Sequence, residues 1–182
     1  MRRTLFLAVL SLTAGCAFAD ESDTLKTYRL QEVQVTSTRA GRKTPVAFTN
    51  LSKKYLSTID FGKDMPALLS LTPSVTTSSD AGIGIGYSDL RVRGTDPTRI
   101  NITANGIPLN DAESNKVYWV NMGDFASSLN DLQVQRGVGT STNGAGAFGA
   151  SINMGTERPA LLPATEVNVG YGSFNTTKNT LK

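Results

Sequence analysis

The chain has 182 residues, with 18 Lys and Arg against 15 Asp and Glu, a formal net charge of +3, no histidine and one cysteine. The length suits one domain plus tails. The missing histidine removes the usual general base of a Ser-His-Asp site and the commonest zinc ligand, Cys16 lies in the N-terminal apolar stretch, and no Asp-x-Asp-x-Asp loop offers a calcium site.

No nucleophile is supplied with a base, so the reading is a non-enzyme with no cofactor and no metal. No basic run is interleaved with aromatics, which argues against a nucleic-acid surface. The 17 glycines, with abundant Ser, Thr and Asn, point to turns and loops in place of a helical bundle.

Met1-Arg2-Arg3 is a basic start, and Thr4 to Gly15 is apolar but short for a bilayer span. Ala17-Phe18-Ala19 fits a small-x-small cleavage site, which makes 1–19 a signal peptide and Asp20 the mature start. Loss of Arg2 and Arg3 takes the net charge from +3 to +1, so most of the basicity is an export address. Lipidation of Cys16 after Ala14-Gly15 competes, although Thr13 stands where a Leu-like residue is usual. Either route exports the protein.

Asp20 to Tyr28 is polar and aperiodic, the pattern of a flexible tail. In Leu30 to Arg39, Val33 and Val35 alternate with polar residues, so Glu32, Val33, Gln34, Val35, Thr36 and Ser37 form a strand-competent segment. It is either the first strand of the domain or a docking strand that adds to the edge of a partner's sheet. Arg39 to Thr44 reads as a basic linker, and compact structure is expected from Pro45.

Ser52 to Ile59 predicts a short helix with Tyr55, Leu56 and Ile59 on one side. Asp64 is positioned to cap a second, with Pro66 in its first turn, Ala67, Leu68, Leu69 and Leu71 as its apolar side, and Pro73 as its stop. An extended segment begins at Val75. Ser78 to Ser88 reads as a loop around Gly82, Gly84 and Gly86; it leads into a strand, where a dinucleotide fingerprint would open a helix.

Leu90-Arg91-Val92-Arg93-Gly94 alternates, which would place Arg91 and Arg93 on one strand face and Leu90, Val92 and Gly94 on the other. On local pattern it is an edge strand with a solvated basic face. A turn follows at Thr95 to Thr98, then a strand from Arg99 to Ala104, and the turn dipeptide Asn105-Gly106. A polar loop, Asn110 to Lys116, runs into Val117 to Val120, where Trp119 is either core or a ligand platform.

Asp124 to Leu129 predicts one or two helical turns, and Leu132 and Val134 alternate in a strand ending at Arg136-Gly137. Gly137 to Gly149 lacks the Gly-Lys-Ser/Thr ending of a phosphate loop, so its glycines serve turns. Ile152 to Met154 is a further strand, and Pro159 and Pro163 bracket a hinge. From Thr165, Val167, Val169 and Tyr171 alternate with Asn168, Gly170 and Gly172, the dyad pattern of a barrel strand. A lone strand of this kind has an open edge, so the chain reads as cut short at the start of a barrel.

In this order the landmarks resemble the N-terminal part of a TonB-dependent outer-membrane receptor, from signal peptide through plug to first barrel strand. Val92-Arg93-Gly94 is similar to the family's Ile-Arg-Gly strand, and Asn105-Gly106-Ile107-Pro108 to its Asp-Gly-Val/Ile-Pro turn. Gln133 to Val138, with Arg136 and Gly137, is similar to Glu-Val-x-x-Gly-Pro; Asn143-Gly144 to Gly149 through Asn153 is similar to Tyr-Gly-x-x-Ala-x-Gly-Gly-x-Ile-Asn. Asn105, Gln133 and Asn143 stand where Asp, Glu and Tyr are usual, and Val138 replaces a proline.

The resemblance implies an α+β fold: a plug with a small mixed β-sheet, short helices and Gly-rich loops, then the first strand of a transmembrane β-barrel. It implies a tail at 20–44, a plug at 45–158, and a hinge with the first barrel strand at 159–182. Glu32 to Ser37 would be the TonB box, docking the C-terminal domain of TonB. Arg93, Arg91 and Gly94 would latch the plug to carboxylates of its own barrel, and Tyr87, Tyr118 and Trp119 would lie in loops facing an arriving small-molecule ligand. The turn at Asp96-Pro97 would face the periplasm. Ferric siderophore, haem, cobalamin, oligosaccharide and peptide all fit such a receptor in the outer membrane. A secreted or periplasmic β-rich binding module without a barrel is the alternative.

Overall fold

The computed structural model describes residues 39–139, 143–144, 146–158, 163 and 165–182. The signal peptide, the Glu32–Ser37 docking segment and Pro159 of the hinge lie outside the described residues.

In chain order the strands are β1 (Ala47–Ser52), β2 (Val75–Ser79), β3 (Ser88–Val92), β4 (Ile100–Ala104), β5 (Ile107–Pro108), β6 (Leu129–Arg136), β7 (Ala150–Thr156), β8 (Val167–Tyr171) and β9 (Thr177–Leu181). The helices are α1 (Lys53–Ile59) and α2 (Met65–Leu69), with 3₁₀ turns at Pro97–Arg99, Trp119–Asn121, Phe125–Ser128 and Ser173–Asn175. Five strands form one sheet in the order β1-β6-β7-β4-β5. The β7–β4 pair is parallel and its neighbours are antiparallel, so the sheet is mixed and the fold is α+β.

The period-2 alternation of a strand sorts this sheet into two faces. Leu51, Leu132 and Met154 share one cross-strand row, and Val134, Ile152 and Ile102 another. These side chains join Leu56 of α1 and Met65, Leu68 and Leu69 of α2 in a single buried cluster. Each is a large-to-small target worth about 2–5 kcal/mol, because the cavity left behind adds to the lost transfer energy.

The opposite face is also buried, though it is polar. Its rows are Asn50–Gln133–Asn153–Thr103 and Phe48–Gln135–Ser151–Asn101. Gln133, Gln135, Ser151 and Asn153 are at most 3 % exposed. Alternation therefore predicts these strands but not the burial of their polar side.

Several expectations are corrected. Ala47–Ser52 is an edge strand where only the onset of compact structure was expected. The second helix ends at Leu69, leaving Leu71 69 % exposed, and Asp64 makes no cap bond to it. The loop after Val75 is shorter than Ser78–Ser88, because both flanking strands take residues from it. Finally, β8 is not alone: it pairs antiparallel with β9, from Val167↔Leu181 to Tyr171↔Thr177. The sequence Thr177-Lys178-Asn179-Thr180-Leu181 is too polar to announce that strand.

Candidate functional site

Residues 39–41 are held on the polar face of the sheet. Gln133 exchanges two hydrogen bonds with the backbone of Ala40, accepting from its N–H at 2.8 Å and donating to its carbonyl at 2.9 Å. Beside it Arg39 donates to Asp131. A Cβ on Gly155 would lie 2.7 Å from Asp131 Oδ1 and 3.1 Å from the Arg39 guanidinium, so the pair occupies the space that glycine leaves.

The amides continue as a chain across three strands. Gln133 also donates to Asn50 Oδ1 at 2.7 Å, Gln135 to Gln133 Oε1 at 2.8 Å, and Asn143 to Gln135 Oε1 at 3.1 Å. Asn101 then donates to the Asn143 carbonyl at 2.6 Å, and Thr103 to Asn153 Oδ1 at 2.8 Å. Asn143 Oδ1, Ser151 Oγ and Asn153 Nδ2 are buried with no partner among the described residues. A buried polar group left without a partner costs about 1–3 kcal/mol.

The two arginines of the alternating stretch separate. Leu90 and Val92 are buried as expected, but β3 ends at Val92. Arg93 takes φ 52°, with its N–H bonded to the carbonyl of Ser74, itself at φ 64°. The pleat is broken there, so Arg91 and Arg93 do not share a strand face. Arg91 lies 3.7 Å from Asp96, a carboxylate of this chain. Asp96 is itself held below the ordinary carboxylate range, mainly by the backbone and hydroxyl donors of Thr98 and more weakly by Arg91.

The Arg93 guanidinium has no hydrogen bond or ion pair among the described residues, and a Cβ on Gly137 would lie 3.3 Å from its Nη1. Arg136, at the end of β6, donates to Thr49 Oγ1 at 2.7 Å and to the Pro73 carbonyl at 3.3 Å.

The other motif residues hold turns. Asn105 (φ 51°) and Gly106 (φ 83°) form the two-residue turn between β4 and β5, where Pro108 pairs with Thr103. Asn105 also exchanges side-chain bonds with Thr156, at 3.0 and 2.8 Å. A Cβ on Gly149 would lie 2.5 Å from Thr95 Oγ1, so only glycine lets the Thr95 turn pack against the start of β7. Gly94 and Gly144 also have positive φ.

Of the proposed ligand-facing residues, Tyr87 (66 %) and Tyr118 (47 %) are exposed, whereas Trp119 is 3 % exposed and belongs to the core. Trp119 is therefore corrected from ligand platform to packing residue. Two residues take positioning roles that the sequence does not announce. Asp64 accepts from the N–H of Gly86 at 2.8 Å, tying the loop that carries Tyr87 to α2. Asn110 accepts from Ile102 N–H at 2.8 Å and donates to the carbonyls of Ile100 and Asn115, so one side chain seats the 110–116 loop against β4. Neither residue has a neighbour in sequence that would announce the bond.

A mixed sheet with short helices, glycine-built turns and a following hairpin defines a domain of plug type. The family model of the TonB-dependent receptor plug domain matches residues 40–151, and the chain belongs to that family. Among solved structures it is similar to the P. aeruginosa FpvA bound to a heterologous ferric pyoverdine, at 21 % identity and TM-score 0.59, over 77 % of this chain and 18 % of that one. It is also similar to the ferric yersiniabactin uptake receptor FyuA from Yersinia pestis (17 %, TM-score 0.56, 78 % and 22 %). The copper transporter OprC aligns at 18 % identity and TM-score 0.55, over 74 % and 21 %. The chain thus spans about a fifth of the length of these receptors. No curated protein matches it.

Proposed function

We propose that this chain is the plug region of an outer-membrane receptor that gates active uptake of a scarce ligand, a ferric siderophore or similar. The plug-family match over residues 40–151 carries this reading. The hairpin that follows supports it: Val167, Val169, Tyr171 and Leu181 are all at least 65 % exposed, the apolar outer face that a barrel strand offers to lipid. The family is one of receptors, not enzymes, and it leaves the barrel-less binding module without support.

The parts take roles accordingly. Residues 1–19 are the export signal, 20–44 the periplasmic tail, 45–158 the plug, and 159–182 the hinge and the first barrel strands. Glu32 to Ser37 is the TonB box, a short alternating strand that docks the C-terminal domain of TonB by edge addition. Arg93, whose guanidinium has no partner among the described residues, seeks a carboxylate of the barrel, with Gly94 permitting its turn; Arg91, already near Asp96, is the lesser contributor. Tyr87 and Tyr118 offer exposed aromatic contact to the ligand.

Deletion of Glu32–Ser37 from the full-length receptor tests the reading. Uptake of radiolabelled ferric siderophores should fall to background while their binding to the cell surface is unchanged. Uptake that survives the deletion refutes it.

A further inference from the structure

Beneath the loop that joins β2 to β3, the hairpin and α2 enclose a cleft of about 270 Å³. The alternation of the two strands explains its character. Val75, Thr77 and Ser79 of β2 share one face with Ser88, Leu90 and Val92 of β3. Around Val75 and Val92 that face belongs to the core, but toward the tip, where Ser79 stands opposite Ser88, it turns to hydroxyls. The inner side of the hairpin thus stops being apolar while it still faces α2.

Ser79 Oγ and Ser88 Oγ are buried without a partner among the described residues, and both serines line the cleft. A hydroxyl placed in this way loses its bonds to water and gains none in exchange. Alanine would serve packing better at both positions, so packing alone does not account for the pair.

Lys63 lies on the rim. A Cβ on Gly84 would come 3.4 Å from Lys63 Cδ and 2.9 Å from Ala67 Cβ, so the glycine lets the loop close down on the lysine stem and on α2. The Lys63 ammonium makes no hydrogen bond or ion pair among the described residues, and it is the only charged side chain lining the cleft. The neighbouring carboxylates are turned elsewhere. Asp64 accepts from the N–H of Gly86, Asp89 lies 3.8 Å from Lys116, and Asp80 is exposed outside the cleft.

A free ammonium and two free hydroxyl donors in one cleft suit an anionic oxygen group, and a single ammonium matches the single charge of a carboxylate. The volume falls short of the about 300–1,000 Å³ that takes a whole small-molecule ligand, so the cleft holds one arm of it, with the exposed Ile83 as an apolar lip.

We propose, resting on the reading above, that this cleft is a subsite for a free carboxylate of the imported ligand, held by Lys63, Ser79 and Ser88. It lies apart from the aromatic contacts of Tyr87 and Tyr118, and it favours chelates that carry such a group over neutral ones.

The test titrates the full-length receptor in detergent micelles with iron-free citrate, read by calorimetry, and with a neutral ferric trihydroxamate for comparison. Citrate should bind saturably, and Lys63→Met, which keeps the stem, should weaken it at least about tenfold. Lys63→Arg should keep most of the affinity. The double variant Ser79→Ala, Ser88→Ala should bind citrate about threefold more weakly or worse, yet melt no lower than the parent, because it removes two unsatisfied groups.

Citrate that fails to bind, or that binds Lys63→Met as well as the parent, overturns the proposal. So does a loss of equal size for the neutral chelate in Lys63→Met, or a double variant that melts lower with its citrate affinity unchanged. Citrate binding is read without transport, so these results strike the subsite alone. Uptake that survives deletion of Glu32–Ser37 strikes the reading on which it rests.

Discussion

Adjacent residues in one loop can carry opposite roles. Trp119 and Tyr118 are neighbours, but the 3₁₀ turn at Trp119–Asn121 sends the indole into the core and leaves the phenol half-exposed. Trp119→Ala should cost about 3–5 kcal/mol, the usual range for emptying an aromatic core site, read as a shift in the urea midpoint. Tyr118→Ala should leave stability within about 0.5 kcal/mol and weaken binding of a ferric siderophore. A stability loss as large for Tyr118 as for Trp119 would remove Tyr118 from the ligand surface. Arg93 shows the same limit on local pattern. Alternation places its side chain only while φ stays in the β region, and the left-handed turn is fixed by a hydrogen bond to Ser74, nineteen positions earlier, which no local rule reports.

At the scale of elements, Glu157 joins three of them. It lies 2.7 Å from Lys53 at the start of α1 and 3.0 Å from Lys182 at the end of the hairpin, and its N–H bonds the Ser128 carbonyl. The hydrogen bond from Lys53 holds the Glu157 carboxyl below the ordinary range, and Glu157 in turn raises Lys53. A lowered carboxylate pKa stabilises the fold above its unfolded value of about 4.3, and that contribution is lost as pH falls through the folded value. The raised Lys53 contributes below about pH 10.4 and loses its part as pH rises through its own folded value. Glu157→Gln should therefore melt at a lower temperature than the parent at pH 7, with the gap closing as pH drops below the carboxylate range. A gap that stays constant to acid pH would mean that the loss is one of packing.

The elements were unevenly legible. Ser52 and the Tyr55, Leu56, Ile59 spacing announce α1, and Asn105-Gly106 announces its hairpin, because in both the cause is local. The edge strand β1 has no such signal: Ala-Phe-Thr-Asn-Leu-Ser has a ragged pattern, half exposed because no strand among the described residues pairs with its outer side. Gln133 and Gln135 alternate with Leu132 and Val134 as a solvated face would, and among the described residues the Ala40 segment and Asn143 help turn that face into interior.

For the whole molecule the open question of charge centres on Arg93. It has no ion pair within the described residues, and its neighbour Arg136 is satisfied by a hydroxyl and a carbonyl, neither of them charged. A cation in this state adds little to the domain itself. Arg93→Ala should leave the melting temperature of the plug nearly unchanged, while in the full-length receptor it should loosen the plug and raise cell sensitivity to a large hydrophilic antibiotic such as vancomycin. Unchanged sensitivity, with normal receptor levels, would show that Arg93 is not a latch.

The pairing of Ala40 with Gln133 also bears on how the molecule is made. The two residues are 93 positions apart, so at about 5–20 residues per second the clamp must wait on the order of 5–20 s for its partner to be synthesised. Residues 39–41 are thus without this partner until most of the domain that follows them has been made, and they settle only once β6 is present to receive them.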